Sequence, residues 1–153
     1  MTTTIEPTGT HSTGVNLSRL LWVSPLAMLA AAAANLALYF VAGRIAPEVT
    51  AWPGSGPTQV VGATVVYLLV GTLVCAVIGR LASRPARPFV IVASIGLLLS
   101  LALPISVAFG YGPPGTSPAS LATAIALCLM HVVAYAIFVP LFVRLVLNGE
   151  EEG

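Results

Sequence analysis

The chain contains no Lys and no Asp, and only 7% of its 153 residues are charged. A typical soluble domain carries about 25% charged residues. With 58% of positions hydrophobic, too little polar surface remains to coat a soluble fold. The net charge of +1 argues against a phosphate-binding surface, which needs clustered cations, so no nucleic-acid partner is expected. The sequence has no CxxC, HExxH, P-loop, dinucleotide glycine fingerprint or G-x-S-x-G elbow. No catalytic residue and no metal-ligand set is therefore expected. An intramembrane enzyme would need a nucleophile or metal cluster that the chain does not supply, so the reading leans away from an enzyme.

What the chain does have is four long apolar runs, at about 20–43, 60–79, 89–109 and 121–143. As a helix, each is long enough to cross a hydrocarbon core of about 30 Å. The expected fold is all-α, a four-helix transmembrane bundle over 19–147. A disordered polar tail is expected over 1–18 and a solvated acidic tail over 148–153. The first run is too long for a signal-peptide core, so it is read as an uncleaved span. The richness in Ala, Val and Leu, with no Lys, suggests a GC-rich bacterial genome.

The cations set the orientation. Arg19 precedes the first span, Arg80, Arg84 and Arg87 lie between spans two and three, and Arg144 closes span four. Only Arg44 falls on the opposite side. The positive-inside rule then places both termini in the cytoplasm, in a bacterial inner membrane. The outer loops, 44–57 and 110–118, are rich in Pro and Gly. Trp52 and Tyr111 are expected there as headgroup-level anchors, with Trp22 as the inner anchor.

Lipid tails are as apolar as Leu, so helices must associate through close packing and hydrogen bonds. Small residues recur at helical spacing: Ala27, Ala31 and Ala34; Gly71, Cys75 and Gly79; Gly96 and Ser100; Ala122 and Ala126. These rows are expected as seams within the bundle. The same rows would serve a homo-oligomer or another membrane subunit. Pro25, Pro104 and Pro140 are read as bends or caps near span ends. Cys75 and Cys128 differ in depth by roughly 10 Å at 1.5 Å per residue, so no disulfide is expected.

No acidic or basic residue sits well inside a span, which argues against ion-coupled transport. Counting depth along each helix gathers five polar side chains into one band: His131, Thr72 and Ser100 near the midplane, with Asn35 and Tyr67 about one turn outward. Three readings of this cluster stay open. It is a structural network in which His131 bonds Thr72, Ser100 or Asn35; or a lipid or small-ligand pocket; or His131 is the axial ligand of a haem or chlorin. No cofactor is expected on the first two. The other histidine, His11, lies in the polar tail, so a tetrapyrrole would be five-coordinate or shared with another copy.

The fourth span carries Leu127-Cys128-Leu129-Met130-His131-Val132-Val133, then Val139-Pro140-Leu141 and Arg144-Leu145. The first carries Pro25-Leu26-Ala27, Ala34-Asn35-Leu36 and Tyr39-Phe40. Together they resemble an uncharacterised bacterial four-helix membrane family, filed as a domain of unknown function, over roughly 20–147. The resemblance implies a small integral membrane protein with no assigned activity. It marks His131 and Asn35 without giving them roles. The expected function is that of a non-enzymatic membrane subunit or a lipid- or small-ligand-binding protein; a redox or pigment protein is the alternative.

Overall fold

The computed structural model describes residues 17–112 and 114–147. Residues 1–16 and the acidic end, 148–153, lie outside the described residues. Among the described residues the structure is helical, with no strand: α1 (Leu17–Ile45), a short α2 (Glu48–Ala51), α3 (Pro57–Leu81), α4 (Ala86–Ala108) and α5 (Leu121–Phe142). Four of these helices are long and apolar enough to cross a membrane. Their surface agrees with that reading. Leu29 is 69% exposed and Leu99 70% exposed. Bare aliphatic side chains in such number would be costly in water and are at no cost against lipid. The chain is a multi-pass membrane protein.

Each long helix extends slightly past its apolar run, except where local chemistry stops it. Pro57 occupies the first position of α3, where a missing N–H costs nothing. At the start of α5, the Ser120 hydroxyl accepts a bond from the Thr123 N–H at 3.1 Å. The link 82–85 between α3 and α4 is too short for anything but an antiparallel turn. Pro140 lacks the N–H that α5 would use there, and the chain beyond it widens into a π-helical turn, Val143–Leu147.

Helix α1 is the spine of the bundle, packing against both α3 and α5, while α4 leans on α5. Contact between α3 and α4, and between α3 and α5, is sparse. The small residues explain the close pairs. Ala27 and Ala31 are fully buried, as is Cys75. A Cβ at Gly71 would stand 2.9 Å from the Phe138 ring. The row on α4 behaves differently: a Cβ at Gly96 would meet nothing within 4 Å. Gly96 faces open space and is not part of a seam within the bundle, which corrects that expectation for it.

Two apolar clusters fill the interior. The larger one gathers Leu20, Val23, Ala27, Leu68 and Cys75 around Phe89, Phe138 and Phe142. The Phe138 and Phe142 rings are 4.0 Å apart between centroids, and Phe89 lies 6.1 Å from Phe142. The smaller cluster, nearer the α1–α3 connection, holds Tyr39, Val49, Val60, Ala126 and Met130.

The connection after α1 is more ordered than its Pro and Gly content suggests. Tyr39 donates to the Ser55 carbonyl at 2.9 Å, and the Ser55 hydroxyl donates to the Val49 carbonyl at 2.8 Å. Trp52, expected as an anchor facing headgroups, is buried instead. Its indole N–H donates to the Ser117 carbonyl at 2.9 Å, which ties the connection after α1 to the connection before α5. Tyr111 and Trp22 do stand exposed.

Candidate functional site

Because α3 rests on α1 and α4 rests on α5, a cleft of about 360 Å³ opens between α3 and α4. Its floor comes from α5, with Asn35 of α1 at one edge. The α3 side is lined from Val60 to Val74, roughly 20 Å at 1.5 Å per residue. Gly96 is one reason the space exists, since it has no side chain to fill it. At the loop end the cleft meets Gly54, Ser55 and Gln59; at depth it meets Leu68, Val74, Phe138 and Val139. The cleft therefore carries polar groups from the loops to the middle of the bundle, where His131 and Ser100 stand, and is mainly apolar beyond it, at Val74, Phe138 and Val139.

Four of the five side chains singled out by depth line this cleft: Asn35, Tyr67, Ser100 and His131. Thr72 does not, and its hydroxyl donates back to the Leu68 carbonyl at 2.9 Å. The four do not form the interhelical network that was one of the expectations. Ser100 donates to the Leu97 carbonyl of its own helix at 2.7 Å. His131 places Nδ1 2.8 Å from the Leu127 carbonyl, one turn back on α5. Ser, Thr and His at such positions commonly satisfy themselves on the preceding turn. The Tyr67 and His131 rings meet edge to face at 5.8 Å.

The hydrogen positions follow from these partners. A carbonyl only accepts, so His131 carries its hydrogen on Nδ1, and in the neutral ring Nε2 is left as an acceptor. Asn35 is 3% exposed, and its Nδ2 donates to Thr64 Oγ1 at 3.0 Å. The single Thr64 hydroxyl hydrogen is committed to the Val60 carbonyl at 2.7 Å, so Thr64 can only accept from Asn35. This fixes the amide orientation and leaves Asn35 Oδ1 buried with no hydrogen-bond partner among the described residues. An unmet buried acceptor costs about 1–3 kcal/mol.

Three polar side chains in the same stretch, Thr64, Ser94 and Tyr135, were not in the depth count. Thr64 lies one turn from Tyr67 on the same face of α3 and is the partner of Asn35. Ser94 and Tyr135 share a hydrogen bond of 2.7 Å between α4 and α5. Ser94 is eight residues into α4 and Tyr135 seven residues from the end of α5, so the same count reaches both. Cys75 and Cys128 are unbridged. Among the described residues no group of three His, Cys, Asp or Glu could hold a metal ion. His11 lies outside the described residues.

No curated protein and no solved structure matches the chain. A family defined by sequence does: the match covers residues 16–147, all four spans and every residue of the cleft. The chain belongs to that family, DUF6069, a family of unknown function.

Proposed function

We propose that this protein is a non-enzymatic membrane protein that holds one lipid-like amphiphile in the cleft between α3 and α4. The observation that carries this reading is an open, mainly apolar cleft with a few polar side chains, Tyr67, Ser100 and His131 among them, placed along it. Pockets for small ligands share this character: a mainly apolar wall of about 300–1,000 Å³ with a few placed polar groups. The gradient along the cleft suits an amphiphile with its head near Asn35 and His131 and its tail towards Phe138. A path between two loosely packed helices also lets such a molecule enter sideways from the bilayer.

The test is a photoreactive fatty-chain probe added to the protein in lipid nanodiscs. Crosslinks are expected on α3, α4 and α5 residues of the cleft. Gly96→Leu places a side chain in open space, so it should remove most of the labelling while leaving the thermal midpoint within a few degrees. Equal labelling of Gly96→Leu and the unaltered protein would contradict the proposal.

The setting belongs to the same proposal. Arg80, Arg84, Arg87 and Arg144 are exposed, and the antiparallel helices carry them to one end of the bundle with Arg19. The positive-inside rule puts that end, and both termini, in the cytoplasm of a bacterial inner membrane. A cysteine at Tyr111 should react with an impermeant maleimide in intact cells, and one at Ser83 only after lysis. The reverse pattern would overturn the orientation. In that orientation the loop end of the cleft, at Gly54, Ser55 and Gln59, lies towards the outer face.

A further inference from the structure

We infer that the arginine end of the bundle binds an anionic phospholipid, its phosphate held among Arg80, Arg84, Arg87 and Arg144. This site is separate from the cleft, whose lining includes none of the four, and it does not rest on the reading of the cleft. Three observations lead to it. First, the fold gathers the charge. Phe89 of α4 stacks on Phe142 at the end of α5, 6.1 Å between ring centroids. Arg87 precedes Phe89 and Arg144 follows Phe142 by the same short step, so both stand just beyond that level. Arg80 lies in the last turn of α3, and Arg84 sits in the link 82–85 that leads into α4. All four are exposed. The net charge of +1 hides this grouping, because it averages over the whole chain.

Second, these guanidiniums lack a counter-charge. Glu48 is the one acidic residue among the described residues, and it lies past the far end of α1. The 29 residues of α1 set it roughly 40 Å away at 1.5 Å per residue, several screening lengths. The tail 148–153 lies outside the described residues, and its three Glu are fewer than the four exposed arginines. With no Lys in the chain, every cation here is a planar guanidinium, which takes phosphate oxygens two at a time.

Third, an exposed apolar stripe leads to the arginines on each of two helices. On α3, Val77 and Leu73 are exposed one and two turns back from Arg80, on the same face. On α4, Ile91 and Ile95 are exposed one and two turns on from Arg87. A phosphate with acyl chains running away from it matches a basic end on an apolar stripe. A soluble polyanion would meet the arginines and leave the stripes bare.

The experiment uses the full chain in phosphatidylcholine vesicles with two spin-labelled lipids that share their chains, a phosphatidylglycerol and a phosphatidylcholine. Electron paramagnetic resonance reads the fraction of each held at the protein. The phosphatidylglycerol is expected to be preferred at least about fivefold, the effect of one arginine at a charged lipid surface. R80Q/R84Q/R87Q should bring the preference close to one. Arg44→Gln, at the other end of the bundle, should leave it unchanged. Replacing the three Glu of the tail, E150Q/E151Q/E152Q, should leave it unchanged or raise it. Equal retention of the two lipids by the unaltered protein would overturn the inference. A preference that survives in R80Q/R84Q/R87Q would place the anion elsewhere and overturn it too. A preference seen only in E150Q/E151Q/E152Q would make the tail the occupant and overturn the lipid. The comparison on the unaltered protein decides even where the triple arginine variant does not fold, and Arg84→Gln, outside the helices, then tests the location by a lowered preference.

Discussion

Replacing Phe142 by Ala is expected to cost about 2–3 kcal/mol of bundle stability, below the roughly 3–5 kcal/mol for emptying an aromatic core position in a soluble protein. Phe142 is fully buried, with Phe138 at 4.0 Å and Phe89 at 6.1 Å between ring centroids. These rings join α4 and α5 and belong to one cluster with Leu20, Val23 and Ala27 of α1. In a soluble protein such a change also forfeits transfer from water. Here the separated helices remain in hydrocarbon, so that part falls away and the lost dispersion contacts and the cavity remain. Thermal unfolding in mild detergent measures the change. A loss below about 0.5 kcal/mol would show that the aromatic cluster does not hold the helices together. Phe142 is not part of the cleft lining, so the folded variant should still take up the probe.

Trp52→Ala is expected to cost a comparable amount, about 2–3 kcal/mol, for a different reason. Trp52 is 8% exposed, and its indole bridges the connection after α1 to the connection before α5. Gly54 makes this arrangement possible, because a Cβ there would run into the indole ring. Trp52→Phe retains most of the packing and loses only the bond to Ser117, which sets its cost near 0.5–1.5 kcal/mol. The Ala variant should also expose the 110–120 segment to proteolysis while the spans stay folded. Equal stability of the Ala and Phe variants would mean that the ring packing contributes nothing to the lock between the loops.

The spans were legible because a hydrocarbon core imposes a minimum length on any helix that crosses it, and this chain has almost no charge to confuse the count. The short helix α2 was not, since four residues carry no periodicity. Trp52 was misread for a related reason. An aromatic residue in a loop between spans looks the same in sequence whether it faces headgroups or another loop, and only the Ser117 carbonyl distinguishes the two. Depth along a helix could be counted, and it brought Asn35, Tyr67, Ser100 and His131 to one cleft. Rotation about the helix axis could not. The spans are apolar on nearly every side, so no polar face marks which way Thr72 turns. Nor did residue type reveal whether a hydroxyl crosses to a neighbour, as between Ser94 and Tyr135, or folds back on its own helix, as at Thr72 and Ser100.

The open space at Gly96 offers a direct way to ask whether the cleft is occupied in its own membrane. The measurement is native mass spectrometry of the protein purified in mild detergent, beside Gly96→Leu purified in the same way. A neutral amphiphile is expected bound near one per chain to the unaltered protein and lost from Gly96→Leu. The same neutral species on both proteins, or none on either, would contradict it.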